Sequence, residues 1–406
     1  MSRLRILIIS PSMPFPADNG GKLRAAAVAL GLAERHEVVM ACFADAPSGP
    51  PADGVADRFR ELTLVPLPKP PRRLRRWLSA SPSDVHQFAS AEMAHRVRET
   101  VARFAPDVLL TGDPALTAYV AAYAERVRVL DNVCEATLQF DRFRALASGP
   151  RLALWALRRR KHAAHLRRIA RHYDLCVLNS DADRAALLAA SPGWTRAEVV
   201  PNGLDLAAYP VGLASPEPNT LVFHGATTYG PNLDAVRYFV AEILPRIRAA
   251  VPDARLMVTG KAPANGSVPQ GPGVVYTGYV PDVRPLIARA WACPVPLRLG
   301  AGGTRFKVLE ALALGTPVVS TAIGVEGVAV TDGVDVLMAE DPSAFAAQTT
   351  KLLRSPDLRA RLAAGGRGLI EREYNWTVLS ERFSKLLDEL VAKRRSADGF
   401  RVASRC

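Results

Sequence analysis

The stretch Gly300-Ala301-Gly302-Gly303-Thr304-Arg305-Phe306-Lys307-Val308-Leu309-Glu310 concentrates the most chemistry in the shortest span of this 406-residue chain. Its glycines leave backbone N–H groups open. Thr304 is placed to cap a helix whose first turn carries Arg305, Lys307 and Glu310. A helix N-terminus offers unpaired N–H groups and a partial positive charge, and two cations beside it suit a diphosphate better than a single phosphate or a carboxylate. The helix continues apolar through Ala311 to Leu314 and stops at Gly315, after which Thr316-Pro317 opens the β-branched strand Val318-Val319-Ser320-Thr321. The spacing predicts an anion site on a helix that feeds a buried sheet. The alternative is a glycine turn before an ordinary amphipathic helix, with Arg305 and Lys307 solvated.

The elements that must hold such a site alternate along the whole chain. Leu4 to Ile9 reads as a buried strand, Pro11 to Gly21 as a rigid loop closed by Gly20-Gly21, Lys22 to Glu34 as a helix and His36 to Phe43 as a strand. Strands at Glu61 to Leu67, Asp107 to Thr111, Val127 to Asp131, Asp174 to Asn179 and Glu198 to Val200 follow, with helices at Ser90 to Phe104, Ala115 to Glu125, Arg151 to His172 and Ala182 to Ala189. This rhythm implies a parallel sheet covered on both faces, which collects ligands at the carboxyl ends of its strands. There is no GxGxxG, so a dinucleotide fingerprint is absent; Gly20-Gly21 either approaches a ligand or only turns the chain.

Residues 205–218 carry three prolines and no periodicity, and read as a linker. A second series follows, with strands at Leu221 to Phe223, Arg255 to Thr259, Val274 to Thr277, Ala292 to Leu297 and Asp335 to Ala339. Its helices are Leu233 to Ala250 and Val283 to Ala290, then segments near 343–354, 357–371 and 377–394. The expected organisation is an N-terminal domain over 1–204, the linker, a C-terminal domain over 219–376, a helix over 377–395 packing back on the N-terminal domain, and a tail over 396–406. Two such domains would face a common cleft.

Composition narrows the function. Five scattered cysteines without a CxxC point to reduced thiols, and no window approaches the roughly 18 apolar residues of a membrane helix, so a cytoplasmic protein is expected. The net charge of +13 is concentrated in residues 1–190, which hold 28 Lys/Arg against 19 Asp/Glu. Lys69 to Arg76 and the eight cations of Arg151 to His172 supply much of the excess and could meet anionic lipid at the inner membrane face. No aromatic interleaving accompanies them, so nucleic acid is not an expected partner. Asp181-Ala182-Asp183 has a metal-binding spacing but sits at a helix start, where carboxylates favour the dipole. His162 and His165 lie three apart among cations and read as a solvated basic face. No metal and no cofactor is expected.

Taken in order, these segments resemble a GT-B-fold retaining glycosyltransferase of the family 4 type (glycosyl transferases group 1). The resemblance runs through the Gly20-Gly21 loop, Val200-Pro201-Asn202-Gly203-Leu204-Asp205, Phe223-His224-Gly225 and Val275-Tyr276-Thr277-Gly278-Tyr279-Val280. It is most specific in Lys307-x-x-Glu310-Ala311-x-Ala313-x-Gly315-x-Pro317-Val318-Val319. It implies two Rossmann-like α/β/α domains facing a central cleft, and a metal-independent hexosyltransferase that takes a nucleotide-diphosphate sugar. The acceptor would be a glycan or lipid-linked molecule, in cell-surface polysaccharide or glycolipid biosynthesis.

Glu310 matches the second glutamate of the family's Glu-x7-Glu motif, a ribose-hydroxyl ligand; the first falls on Gly302. The family's Arg and Lys after the first strand of the second domain are also missing, since Gly225 to Asn232 contains no cation. A departing nucleoside diphosphate gains negative charge, so Arg305 and Lys307 are expected to replace that pair. The donor site would further include Gly20, Gly21, His224, Gly303 and Thr304, with Tyr279 and Val280 bordering the base. Asp131 is the acceptor-side catalytic candidate, ahead of Asn132, Asp113 and Glu135. A GT-B nucleotide-sugar epimerase and a catalytically silent scaffold subunit are the other readings.

Overall fold

The computed structural model describes residues 3–17, 19–44, 54–69, 79, 81–132, 135–145, 147–300 and 302–403. Most of the Lys69 to Arg76 cluster, Cys134 and Cys406 lie outside them. The chain divides into two compact units: Met1–Pro201 with Ala301–Gly303 and Thr377–Cys406, and Asn202–Gly300 with Thr304–Trp376.

The first unit is built on seven parallel strands, β1 (Arg5–Ser10), β2 (Glu37–Ala44), β3 (Glu61–Pro66), β4 (Val108–Thr111), β5 (Val127–Asn132), β6 (Leu175–Leu178) and β7 (Ala197–Val199). Their order is β3-β2-β1-β4-β5-β6-β7. Strands β1, β4, β5 and β6 are buried almost throughout, as β-branched runs covered on both faces should be. The helices are α1 (Gly20–Ala33), α2 (Ser83–Gln87), α3 (Ala91–Phe104), α4 (Ala136–Ala145), α5 (Pro150–Ile169) and α6 (Asp181–Ala190). The helix expected at Ala115 to Glu125 is instead a 3-10 segment, Pro114–Tyr119, started by Asp113 accepting from the Ala115 N–H at 2.7 Å.

One buried ion pair joins three parts of this unit. Arg24 of α1 is fully buried. Its Nε lies 3.0 Å from both carboxylate oxygens of Asp131 at the end of β5, Nη2 donates to Asp131 Oδ1 at 2.6 Å, and Nη1 donates to the Val200 carbonyl at 2.8 Å.

The second unit carries β8 (Thr220–His224), β9 (Arg255–Thr259) and β10 (Val274–Gly278) in the order β10-β9-β8, and β11 (Cys293–Val295), β12 (Val318–Ser320) and β13 (Leu337–Met338) in the order β11-β12-β13. A parallel bridge between Leu221 and Ala292 joins the two sets edge to edge. The helices are α7 (Gly230–Tyr238), α8 (Leu244–Ala250), α9 (Arg284–Arg289), α10 (Phe306–Ala313), α11 (Pro342–Arg354) and α12 (Pro356–Glu373). The helix expected over Leu233 to Ala250 is interrupted by a π-turn at Phe239–Ile243, next to Pro245, which has no N–H for the regular ladder.

Two regions depart from the sequence reading. Of residues 205–218, read as a linker, Tyr209 is buried in the second unit's core, and so is Leu204, the last residue assigned to the N-terminal domain. The last helix, α13 (Trp376–Ala403), continues beyond the Ser396 at which a tail was expected. Within the first unit it is held by His36 Nε2 against Ser384 Oγ at 2.5 Å and by Arg394 against Asp174 at 2.6 Å.

Removing one member of a buried ion pair leaves the other charge unsatisfied at a cost of about 3–5 kcal/mol. Arg24→Leu should therefore lower the thermal midpoint by roughly 10 °C. Arg24→Leu/Asp131→Leu should recover much of that loss, because no charge is then stranded; differential scanning calorimetry of the three proteins checks both expectations.

Candidate active site

The second unit gathers its polar chemistry at the carboxyl ends of its strands. Strand β8 ends in His224, and Gly225 (φ 137°) and Gly260 (φ 128°) follow β8 and β9 in a conformation that side-chain-bearing residues avoid. A Cβ at Gly260 would stand 2.7 Å from the Gly225 carbonyl carbon. The two loops thus approach as backbone against backbone, and glycine is required at both.

Helix α10 starts at Phe306 with Arg305 as its N-cap, correcting the expectation that Thr304 caps it. Thr304 is buried and otherwise committed: its Oγ1 accepts from Asn202 N at 3.1 Å and its carbonyl accepts from Asn202 Nδ2 at 3.2 Å. Gly303, at φ 92°, makes the turn before it. From this start, residues 307 and 310 fall one helical turn apart on one face.

Lys307 reaches the Gly225 loop. Its Nζ donates to Asn232 Oδ1 at 2.8 Å and lies 4.0 Å from the centre of the Phe223 ring. A Cβ at Gly225 would be 3.4 Å from that nitrogen. Burial, with a smaller contribution from Arg305, lowers the Lys307 ammonium from its ordinary value to about 7. Arg305 turns elsewhere, with Nε donating to the Ile323 carbonyl at 3.2 Å and Nη2 pairing with Glu326 at 3.1 Å. The two expected phosphate cations therefore occupy different surroundings, and Lys307 is the one under the Gly225 loop.

Glu310 stands beside it. Its Oε1 accepts from the Tyr209 hydroxyl at 3.0 Å, and Oε2 lies 3.2 Å from His224 Nε2, close enough for an ion pair but without the alignment of a hydrogen bond. Cys293 Sγ sits 3.9 Å from the other ring nitrogen of His224. Burial and the Glu310 carboxylate push the Tyr209 phenol up, so it remains a donor. Of the residues expected at the donor site, His224 and Glu310 lie together with Lys307 on the next turn of the helix; Tyr209 and Asn232, which hydrogen-bond to Glu310 and Lys307, were not among the expected ones. Tyr209 lies in the irregular 205–218 stretch, and Asn232 in a loop read only for its lack of cations. Tyr279 is 68% exposed after β10, with Val280 half-buried beside it.

In the first unit, Gly20 and Gly21 form the first turn of α1 rather than a loop ahead of it; Asn19 is the cap and accepts from Lys22 N at 3.1 Å. Asp131 is held by Arg24 as described. Gly302, grouped with this unit, leaves no room for a side chain, since a Cβ would fall 2.1 Å from Asp183 Oδ1. Asp183 is fully buried, accepts from Glu135 N at 3.2 Å and pairs with Ser180, the α6 cap. Glu135 is equally buried and accepts from Asn132 Nδ2 at 2.9 Å and Thr137 Oγ1 at 2.9 Å. The expectation of a solvated face at His162 and His165 is corrected: His165 is 6% exposed, and His162 Nε2 lies 3.4 Å from Glu135 Oε1.

Two family descriptions match the chain: a glycosyl transferase 4-like domain over residues 19–203 and glycosyl transferases group 1 over residues 218–355. A GDP-mannose-dependent monoacylated alpha-(1-6)-phosphatidylinositol monomannoside mannosyltransferase of Corynebacterium glutamicum is 27% identical over 157 residues, 36% of this chain and 41% of that protein. A D-inositol 3-phosphate glycosyltransferase of Frankia alni is 50% identical over 62 residues, 15% of each. A glycogen synthase of Mycobacterium tuberculosis is 25% identical over 253 residues, 59% of each. The chain thus matches less than two thirds of each of these relatives.

Among solved structures, sucrose-phosphate synthase of Thermosynechococcus elongatus gives a TM-score of 0.69 at 17% identity, over 96% of this chain and 100% of that one. Anabaena HepE in complex with UDP gives 0.64 at 14%, over 95% and 100%. At these identities the likeness is one of fold, and the fold is GT-B, with two Rossmann-like domains.

The depressed Lys307 ammonium carries a sign that stability measurements can read. With a folded-state value near 7 and an unfolded value near 10.4, folding is penalised fully below pH 7 and the penalty is relieved as pH rises above it. Lys307→Met should therefore be no less stable than wild type at pH 6. The stability difference between the two should then narrow by up to about 1.4 kcal/mol per unit from pH 7 to 9. Urea unfolding across that range checks it; a variant destabilised equally at every pH would contradict it.

Proposed function

We propose that this chain, which belongs to the GT-B glycosyltransferases, moves a hexose from a nucleoside-diphosphate sugar to a glycan or lipid-linked acceptor, with retention of configuration and without a metal ion. The observation that carries the reading is the Lys307 ammonium beneath the Gly225 loop, a desolvated cation held by the Asn232 amide beside glycine backbone. A diphosphate placed there would restore the charge partner that burial removed, and would gain most when its bond to the sugar breaks and negative charge develops. Lys307 is therefore assigned to the departing phosphate. Arg305, paired with Glu326, contributes to the field around it.

Glu310, oriented by Tyr209 and neighboured by His224, is the acceptor for ribose hydroxyls. Gly303 and Thr304 supply backbone next to the phosphates, and Tyr279 with Val280 borders the base. On this reading no protein nucleophile is required, because the departing diphosphate receives the acceptor's proton on the face it leaves. Asp131 acts on the acceptor side by holding Arg24 and the end of β5 in place.

The activities of the relatives support a nucleotide-sugar donor and leave open which one, since a GDP-mannose enzyme and a UDP complex are both among them. Cell-surface polysaccharide or glycolipid synthesis at the inner face of the membrane is the setting this chemistry fits. No helix among the described residues is long and apolar enough to cross a membrane. The catalytically silent alternative rests on Gly302, where the glutamate of the family motif is replaced by a residue with no room for one.

Binding of UDP, GDP, ADP and TDP by isothermal titration calorimetry, followed by turnover of the matching sugar conjugates, tests the proposal. One nucleotide should bind, and Lys307→Gln should weaken it about ten- to hundredfold, the worth of a hydrogen bond to a charged group. Wild-type affinity should fall as pH rises above about 7, by up to tenfold per unit, because the neutral amine must recover its proton to bind; Lys307→Gln should lack this slope. Binding without turnover of donor, with or without an acceptor, would leave the silent reading.

A further inference from the structure

The first unit contains two neighbouring cavities that the donor chemistry does not use. One, of about 160 Å³, is polar and lined by Asp113, Asn132, His162 and His165. The other, of about 370 Å³, is lined by Phe140, Leu154 and Leu157, with Arg158 and Lys161 also in its wall. Both include Pro82, Asp84, Ala136 and His162, so a polar chamber and an apolar one meet at the His162 ring, which packs edge-on against Phe140 at 5.9 Å.

The polar chamber has unspent hydrogen-bonding capacity. His165 is buried, and its Nε2 lies 3.1 Å from the Pro114 carbonyl. Burial lowers its ring from the ordinary value, so the neutral form donates from Nε2 and leaves Nδ1 as an acceptor, which has no partner among the described residues. Asp113 uses Oδ1 to cap the following turn, and burial raises its carboxyl to about 6, so near neutral pH both its accepting and its donating forms are accessible. Such a set suits hydroxyl groups, which donate and accept at once. The apolar chamber lies on the hairpin of α4 and α5, where Phe143 stacks on Trp155 at 4.8 Å and Arg158 covers the same indole. Leu157 is 37% exposed beside Arg158.

We infer that these chambers form one acceptor site for an amphiphile: a hydroxylated head in the polar chamber, a phosphate at Arg158 and Lys161, and an apolar chain along Phe140, Leu154 and Leu157. The inference rests on the transferase reading and selects a lipid-phosphate-linked acceptor over a free glycan. A free glycan has no use for the apolar wall, whereas an uncharged lipid has none for the two cations.

The test uses the full chain and four probes: decyl phosphate below its micelle concentration, decyl β-glucoside, glucose 1-phosphate and inorganic phosphate, titrated by calorimetry. Decyl phosphate should bind at least tenfold more tightly than inorganic phosphate. Leu157→Asp, and separately Arg158→Glu/Lys161→Glu, should each reduce that affinity at least tenfold, and His162→Phe, which keeps the ring against Phe140, should weaken decyl glucoside instead. The nucleoside diphosphate bound most tightly is titrated in the same samples and should be unaffected by these substitutions. Normal nucleotide binding without amphiphile binding would overturn this inference alone, whereas loss of nucleotide binding by the wild type would remove the reading beneath it. Equal affinity for glucose 1-phosphate and decyl phosphate would also overturn it. So would binding to phosphatidylglycerol vesicles with none to monomeric decyl phosphate, which would make the hairpin a membrane surface.

Discussion

The functional account depends on one contact, the Lys307 ammonium held between Asn232 and the Phe223 ring under a loop of glycine backbone. A cation loses its hydration there and gains one amide oxygen and one aromatic face in return, which compensates only in part. The structure tolerates the remainder because, apart from Glu310, the rest of the helix that carries Lys307 is apolar, with Val308, Leu309, Ala311 and Leu312 all packed in the core. Stability is given up at one residue, and an incoming anion would restore it.

That contact exists because of how parallel sheets end. Strands β8 and β9 finish side by side, and their loops close on each other at Gly225 and Gly260 without side chains between them. The same geometry brings His224 to the strand end and Glu310 within 3.2 Å of it from helix α10. In the first unit, Arg24 does corresponding work from inside the fold by tying α1 to the ends of β5 and β7. The polar residues near those strand ends, Asn132, Glu135 and Asp183, are joined by hydrogen bonds and leave the more open chemistry to Asp113, His162 and His165.

Much of this was legible in the sequence. The strands among the described residues are mostly β-branched or apolar runs between turn residues, and Lys307 and Glu310 stand three apart in the most distinctive segment of the chain. The absence of a cation at 226–232 pointed to a substitute from elsewhere, and Lys307 reaches that loop. Arg305 has the same spacing argument, yet it turns to Ile323 and Glu326; periodicity sets a helical face but not which long side chain finds which partner. Thr304 looked like a cap because of its type, but Asn202, a hundred residues away, claims its oxygens. Tyr209 was hidden in a proline-rich stretch with no period to reveal burial. His162 and His165 were misread from the charge of their sequence neighbours, several of which are exposed, whereas His165 itself is buried and His162 reaches Glu135.

The most direct test of the central claim is an NMR titration of Lys307 in selectively labelled protein, with and without the tightest-binding nucleoside diphosphate. The account predicts a side-chain amine that titrates near 7 when free and at least one unit higher when the diphosphate is bound. An amine that titrates near its ordinary value in the free protein, or one whose titration the diphosphate leaves unchanged, would contradict it.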